Sequence, residues 1–315
     1  MLVSLIGSNG FLSRYIGLYC NKYFIELNVY GRVKPISYKF NKFCRVDLLC
    51  DELDYKDLAK SDIIIYAAGA GVQFHLDESK DAIYNLNVML PISICNNLKK
   101  YKYQGAIFTF GSYFEIGENL ENKSFSEKEI LHSQLKSPND YTISKRILTR
   151  YFESFNNCDS TFTKLHFILP TIYGETESSY RLIPYILNGI REDSNLTVTS
   201  GEQIRQYLYI EDVVSIIFSS IKANLESGIY NLCGAEEYSV KELVLYLFWL
   251  NKKEIPNNIF GKIKRVDTGM KILKLDGGKL EKKIGKISYH RILDVYKKYF
   301  LNNNYETKTN SSPSL

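Results

Sequence analysis

Short apolar runs alternating with helical periodicities predict an α/β protein, a doubly wound parallel sheet with a smaller α/β lobe. Three observations lead there. The runs at Leu2–Ile6 and Asp62–Ala67 are near-continuously apolar, as strands covered on both faces are, and do not alternate between apolar and polar. Helical spacing separates successive runs, the order expected of parallel strands joined by right-handed crossovers. The 315 residues leave room for one large domain and a second, smaller unit.

The first strand, Leu2–Ile6, leads into a helix over Leu12 to Tyr23. A strand at Leu27–Tyr30 follows, then a weaker one around Arg45–Leu49 and a helix near Tyr55–Lys60. Asp62–Ala67 is the next strand, punctuated by Ala68-Gly69. Ala82–Leu98 reads as a long helix apart from Pro91, and Gln104–Phe110 as another strand. In the second half, strand Phe162–Leu169 ends at Pro170. Shorter elements follow at Leu182–Asn188, Leu196–Thr199, Tyr207–Ile210, Val213–Ile221, Ile229–Leu232 and Leu243–Leu250, which read as the smaller lobe. The expected division is 1–165 for a dinucleotide-binding domain and 166–301 for the lobe, with segments free to interleave. Residues 302–315 are polar and aperiodic, a pattern of disorder.

Hydrophobic residues make up 45% and charged residues 24%, ordinary for a soluble globular protein. The net charge of +5 is spread over stretches such as Lys99-Lys100-Tyr101-Lys102. These read as solvated helix ends, not as a nucleic-acid surface, while the mild positive balance suits an anionic small substrate. Six cysteines (Cys20, Cys44, Cys50, Cys95, Cys158, Cys233) form no C-x-x-C pair and have no histidine at metal spacing. Scattered thiols in a reducing cytoplasm, with no metal, is the reading. Met1 runs directly into the first strand, and no stretch approaches the roughly 18 apolar residues of a membrane span. A cytoplasmic protein without membrane attachment is expected.

Gly7-Ser8-Asn9-Gly10-Phe11-Leu12-Ser13 joins the first strand to the first helix. Gly7 can take a tight turn with positive φ. Gly10 lets backbone N–H groups approach a pyrophosphate whose charge the helix N-terminus favours. Ser13 stands where a G-x-x-G-x-x-G fingerprint has its third glycine, and its small side chain still permits close packing. After the second strand no acidic residue follows Tyr30 to accept from a ribose 2′-hydroxyl. Arg32, with Lys34 nearby, suits a 2′-phosphate instead, which favours NADP over NAD.

In Tyr141-Thr142-Ile143-Ser144-Lys145, residues at i and i+4 share a helix face, so Tyr141 and Lys145 point the same way. A free phenol ionises near pH ~10. A neighbouring ammonium can lower that by roughly 1–3 units, letting Tyr141 exchange a proton with a carbonyl oxygen as hydride moves. Such a pair arises often by chance in a chain with 25 tyrosines. Its weight comes from Ser112, placed at the carboxyl end of strand Gln104–Phe110, where a hydroxyl can hydrogen-bond the reacting oxygen.

Together, Gly7-x-x-Gly10, Ala67-Ala68-Gly69, Asn87, Ser112 five residues before Gly117, and Tyr141-x-x-x-Lys145 resemble the extended short-chain dehydrogenase/reductase superfamily, its NAD-dependent epimerase/dehydratase family. The resemblance extends through Ile172-Tyr173-Gly174, Arg181-Leu182-Ile183-Pro184, Gly201-Glu202-Gln203-Ile204-Arg205-Gln206-Tyr207, Tyr209-Ile210-Glu211-Asp212-Val213 and Asp276-Gly277-Gly278-Lys279-Leu280, covering about residues 1–300. Asn87-Val88-Met89-Leu90-Pro91 and Thr199 through Arg205 are most similar to bacterial CDP-abequose and CDP-paratose synthases. The resemblance implies a Rossmann-type domain and reduction of the 4-keto group of a nucleotide-linked deoxy sugar, in the making of surface lipopolysaccharide or capsule sugars, by a homodimer. It implies Ser112 as hydrogen-bond donor to the carbonyl, Tyr141 as acid/base and Lys145 as ribose anchor. Cofactor contacts implied are Gly7, Asn9, Gly10, Phe11, Leu12, Arg32, Asp47, Leu48, Ala67, Ala68, Gly69, Asn87 and Leu169, with Tyr141 and Lys145. Substrate contacts implied are Ser112, Tyr113, Phe114, Tyr141, Arg181 and Arg205, the last on a pyrophosphate.

A 4,6-dehydratase of this fold is expected to carry Asp-Glu directly after the catalytic hydroxyl; here Tyr113 and Phe114 stand there. A 3,5-epimerase/reductase is expected to use a cysteine near Ser112 with a histidine, and no cysteine is near. Ketone reduction and C4 epimerisation through a transient ketone remain, with a non-catalytic dinucleotide sensor as the alternative of another class.

Overall fold

The structure, a computed structural model, describes residues 1–72, 76–158, 161–263 and 269–301. The expected disordered tail, 302–315, lies outside them. Seven strands form the large sheet: β1 (Leu2–Ile6), β2 (Glu26–Gly31), β3 (Lys42–Arg45), β4 (Ile63–Tyr66), β5 (Ala106–Ser112), β6 (Thr163–Leu169) and β9 (Gly228–Asn231). They run in the order β3-β2-β1-β4-β5-β6-β9, every neighbouring pair parallel. The expected doubly wound sheet is therefore present.

The continuous apolar runs are explained by the two faces they serve. In β4, Ile63 and Ile65 enter one core with Val3, Leu5, Phe108 and Phe110, while Ile64 and Tyr66 enter a second with Ile6, Tyr30 and Ile107. The first face is covered by α1 (Phe11–Lys22) and α8 (Ile210–Lys222), joined where Tyr19 stacks on Phe218 at 4.2 Å. The second is covered by α2 (Tyr55–Leu58), α4 (Leu90–Lys100) and α6 (Asp140–Cys158), through Leu58, Ile94, Leu98, Leu148 and Phe152. Each fully buried side chain of this size contributes about 1.5–3 kcal/mol.

Three expectations are corrected in detail. β3 lies three residues earlier than Arg45–Leu49. Asp47 ends it by accepting from the Leu49 N–H, a local turn that competes with strand pairing. The helix expected over Ala82–Leu98 is α3 (Lys80–Tyr84), a single π-helical turn over Asn85–Met89, and α4. Pro91 has no N–H to give the Asn87 carbonyl, and the wider turn just before it bonds Leu90 N–H to Asn85 O. Ile229–Leu232, read as part of the smaller lobe, is β9 and pairs with β6.

The residues between and after β6 and β9 also supply a second sheet in which β8 (Ile204–Tyr209) pairs with β10 (Glu236–Ser239), β7 (Thr171–Tyr173) and β11 (Ile272–Leu273). Helices α7 (Leu182–Glu192), α9 (Val240–Leu250), α10 (Gly278–Ile284) and α11 (Ile292–Leu301) accompany it, and α5 (Glu127–Leu131) precedes α6. Residue 165 falls inside β6, and β9 of the large sheet follows β7 and β8 of the second, so the strands of the two sheets interleave along the chain. Leu196–Thr199 joins neither sheet; Leu196 and Val198 are buried, and Val198 N–H bonds the Ile259 carbonyl. Among the described residues no helix is long and apolar enough to cross a membrane.

Candidate active site

The strand order reverses between β1 and β4, and ligands of such sheets sit at the carboxyl ends of the strands beside that point. Gly7 occupies it with φ +100°. A Cβ there would lie 2.9 Å from the Ala68 amide nitrogen, so glycine is what lets the β1 turn close on the end of β4. Gly10 begins α1 with no side chain capping the helix and no acidic residue in its first turn, leaving the positive end of the dipole for an outside anion. Ser13 is fully buried, and its Oγ lies 3.3 Å from the position a Gly10 Cβ would take. The close packing expected of a third glycine is kept.

Ser8 Oγ and Asn9 Nδ2 both donate to the Val33 carbonyl, at 2.8 and 2.7 Å. Asn9 thus holds the loop after β2, which carries the exposed Arg32, against the glycine turn. Phe11, Leu12, Asp47, Leu48 and Leu169 are half-buried. Asn87, 1% exposed, accepts from Ala70 N–H and donates to the Ala70 carbonyl and Ser144 Oγ, all within 3.0 Å. It fixes the chain leaving Ala67-Ala68-Gly69, and Gly69 has room for a side chain only 3.0 Å from Asn87 Oδ1 and 3.9 Å from Lys145 Nζ. A turn closed to a Cβ at Gly7, beside an uncapped helix start at the switch point, fits a nicotinamide dinucleotide.

Ser112, Tyr141 and Lys145 converge one strand away. Lys145 on α6 reaches back to the Phe110 carbonyl of β5 at 2.8 Å, with Nζ 5.8 Å from the Tyr141 ring centre. Burial lowers its ammonium to about 8. Ser112 ends β5 and caps the short 3₁₀ turn Tyr113–Ile116, accepting from Phe114 N–H at 3.3 Å. The capping role and a role toward a ligand coexist, because an accepting hydroxyl keeps its own proton to donate. Tyr141 departs from expectation. Burial pushes its phenol up to about 12, while the Ser112 hydroxyl and the Arg181 charge pull it down less strongly. Lys145 gives its short contact to a carbonyl and not to the phenol, so no lowered phenol results.

Toward the second sheet, Phe114 meets the Tyr141 ring edge-on at 6.2 Å, and Tyr113 Oη bonds Thr171 Oγ1. Arg181 pairs through Nε with Glu177 and donates Nη2 to the Ile172 carbonyl. Arg205, 7% exposed, spends Nη1 on the Ile204 and Lys271 carbonyls. Burial raises the Tyr207 phenol, and the charges of both guanidiniums pull it down.

Sequence reasoning assigned no role to Glu115, Thr149 or His166, which form a buried chain beneath Ser112. The S-x-x-E spacing of Ser112 and Glu115, a capping-box pattern, was the available signal. His166 carried only the weaker one of an imidazole inside an apolar strand.

The model of the NAD dependent epimerase/dehydratase family matches residues 3–233. The chain is 26% identical over 262 residues to a dTDP-D-glucose 4,6-dehydratase of Dictyostelium discoideum, an alignment spanning 73% of this chain and 57% of that protein. It is 27% identical over 207 residues to a CDP-abequose synthase of Salmonella typhimurium, spanning 64% and 62%. The chain thus spans less than two thirds of the length of these relatives. Among solved structures, a dTDP-glucose 4,6-dehydratase of Streptomyces venezuelae with NAD bound superposes with a TM-score of 0.78 at 17% identity, covering 95% of each chain. A Thermus thermophilus UDP-glucose 4-epimerase with NAD gives 0.76 at 15%, covering 96% and 99%. These likenesses show the fold; the family match over most of the chain shows that this protein belongs to the NAD dependent epimerase/dehydratase family.

Proposed function

We propose that this protein reduces the 4-keto group of a nucleotide-linked deoxy sugar, taking NADPH as reductant. The observation that carries the reading is the meeting of Ser112, Tyr141 and Lys145 at the carboxyl end of β5, one strand from the glycine cradle. The dinucleotide would lie along Gly7, Gly10 and the α1 N-terminus, with its ribose near Lys145 and Arg32 toward a 2′-phosphate; when bound it supplies the hydride.

Ser112 Oγ donates a hydrogen bond to the ketone oxygen and polarises it. As the carbonyl carbon gains hydride, Tyr141 gives its phenolic proton to that oxygen, and the products are a secondary alcohol and oxidised nicotinamide. A phenol held near 12 stays protonated at neutral pH, the state a reductase's acid requires. The Ser112 hydroxyl and the Arg181 charge favour the phenolate left behind. Tyr113 and Phe114 supply no carboxyl group beside Ser112, which argues against loss of water. The family membership and the likeness to CDP-abequose synthase support the same reading. Arg181 and Arg205 offer planar guanidiniums to the nucleotide diphosphate.

The test is to incubate the protein with NADPH or NADH and CDP-, dTDP-, UDP- and GDP-linked 4-keto sugars, following reduced nicotinamide by absorbance and products by mass. Stoichiometric consumption of NADPH with formation of the alcohol is expected. Interconversion of C4 epimers without net cofactor consumption would replace the reading by epimerisation. Tight dinucleotide binding with no turnover of any sugar would replace it by a sensor.

A further inference from the structure

Beneath Ser112 lies a charged cluster that the proposed reaction does not use. Glu115 is 1% exposed and His166 and Thr149 are 0% and 1% exposed. Glu115 Oε1 accepts from the Ser112 backbone N–H at 2.8 Å, and Oε2 accepts from Thr149 Oγ1 at 2.6 Å. Thr149 has a single hydroxyl proton, given to Glu115, so its 2.9 Å contact with His166 Nε2 makes that nitrogen the donor. His166 Nδ1 is then the acceptor of Thr109 Oγ1 at 2.8 Å. Burial pushes the imidazole down to about 3, in keeping with this neutral tautomer. A Cβ on Gly111 would lie 2.5 Å from Glu115 Oε1 and 2.7 Å from His166 Nε2, so the cluster requires glycine there.

Thr149 and Lys145 are i+4 neighbours on α6, one turn apart on the face that meets β5. The charged and titratable groups facing the cluster are Tyr141, Lys145 and Arg146 from α6 and His166 from β6. Arg146 is spent on the Glu115 and Ile116 carbonyls. Glu115 raises and burial lowers the Lys145 ammonium, and His166 is neutral. Glu115 is therefore the one carboxyl group among these; burial raises it, while the Thr149 hydroxyl, the Ser112 N–H and the Lys145 and Arg146 charges pull it down.

We propose that Glu115, held by the Thr149–His166–Thr109 chain, is a positioning residue that fixes Ser112 at the end of β5 through the Ser112 backbone N–H and sets a negative charge against α6 one helical turn from Lys145. The inference rests on the reductase reading for its catalytic meaning, yet its electrostatic half is measurable without any sugar. Protein carrying ¹³C-lysine, with the Lys145 signal assigned by Lys145→Arg, is titrated in wild-type, Glu115→Gln and Glu115→Asp forms. Removing an opposite charge shifts a buried group by roughly 1–3 units. The Lys145 midpoint should fall by about one unit or more in Glu115→Gln and return to within a few tenths of wild type in Glu115→Asp. An unmoved midpoint in Glu115→Gln overturns the proposal, as does an equal fall in both variants. Should Glu115→Gln not fold, the wild type answers alone. Its Lys145 signal must show a second, smaller step on the acid side, where Glu115 takes its proton, and a single step overturns the proposal. With a sugar substrate in hand, Glu115→Gln should lower kcat about tenfold with KM within twofold. A wild type that reduces no keto sugar defeats the reductase reading and leaves the midpoint test standing.

Discussion

Replacing Gly7 and Gly10 by alanine separates a folding requirement from a binding one. At Gly7 the new methyl enters a backbone at φ +100° and lies 2.9 Å from Ala68 N, 3.1 Å from Ala68 Cα and 3.2 Å from the Ala67 carbonyl carbon. None of these is the movable end of a side chain, so the β1 turn must retreat from β4 or leave its conformation. Backbone strain of this kind costs about 1–3 kcal/mol. At about 2–4 °C per kcal/mol for a large domain, Tm should fall by roughly 2–12 °C, and dinucleotide binding should weaken with it. At Gly10 the backbone is extended, φ −65° and ψ 158°, which any residue adopts. The methyl meets only Ser13 Oγ at 3.3 Å, so Tm should stay within about 2 °C. It does, however, stand where a pyrophosphate must approach, and dinucleotide Kd should rise about tenfold or more. Differential scanning fluorimetry and calorimetric titration with NADPH read the two quantities. A Gly7→Ala variant as stable as wild type, or a Gly10→Ala variant of unchanged affinity, would refute the placement of the cradle.

Tyr141→Phe should lower kcat by about 10²–10⁴-fold and leave dinucleotide affinity within a few fold; steady-state kinetics showing more than about a tenth of the wild-type rate would remove Tyr141 as the acid. Arg32→Ala should weaken NADPH about tenfold or more, the scale of a charge-assisted hydrogen bond, with NADH nearly unchanged, and paired titrations showing equal losses would defeat the NADP assignment. Arg205→Ala should raise KM for the sugar nucleotide about tenfold, roughly 1.4 kcal/mol. It should also lower Tm, because the Ile204 and Lys271 carbonyls lose their donor; NADPH affinity lost in place of sugar-nucleotide affinity would put the two anion sites in the wrong units.

Most of the sheet was legible because its central strands obey one rule, burial on both faces, that needs no partner to be seen. β1, β4 and β5 each show it as a run of apolar residues. The second sheet was not, since β7, β10 and β11 are two to four residues long and take their place only by pairing with β8. The assignment of β9 failed for the same reason. Gly228–Asn231 is as short as the lobe strands, and only pairing with β6 puts it in the large sheet. In the site, spacing found Tyr141 and Lys145 because a helix places i and i+4 together. It could not give the phenol's acidity, which depends on how deeply α6 is buried and on where Lys145 sends its proton donors.

That acidity sets the direction of the chemistry. A phenol lowered toward neutrality by a bare ammonium would be equally placed to take a proton from an alcohol or to give one to a ketone. Here the ammonium is engaged by the Phe110 carbonyl, and burial, reinforced by the Glu115 charge, raises the phenol to about 12. At neutral pH the side chain therefore begins as the protonated form, and each turnover starts from a donor. Glu115 acts on both groups, adding to the effect of burial at Tyr141 and opposing the effect of burial at Lys145. An enzyme running the step in both directions would gain from the opposite arrangement, a phenol balanced between its two states. The cluster beneath Ser112 is thus the place where the proposed ketone reduction and an epimerisation would make different demands on the phenol.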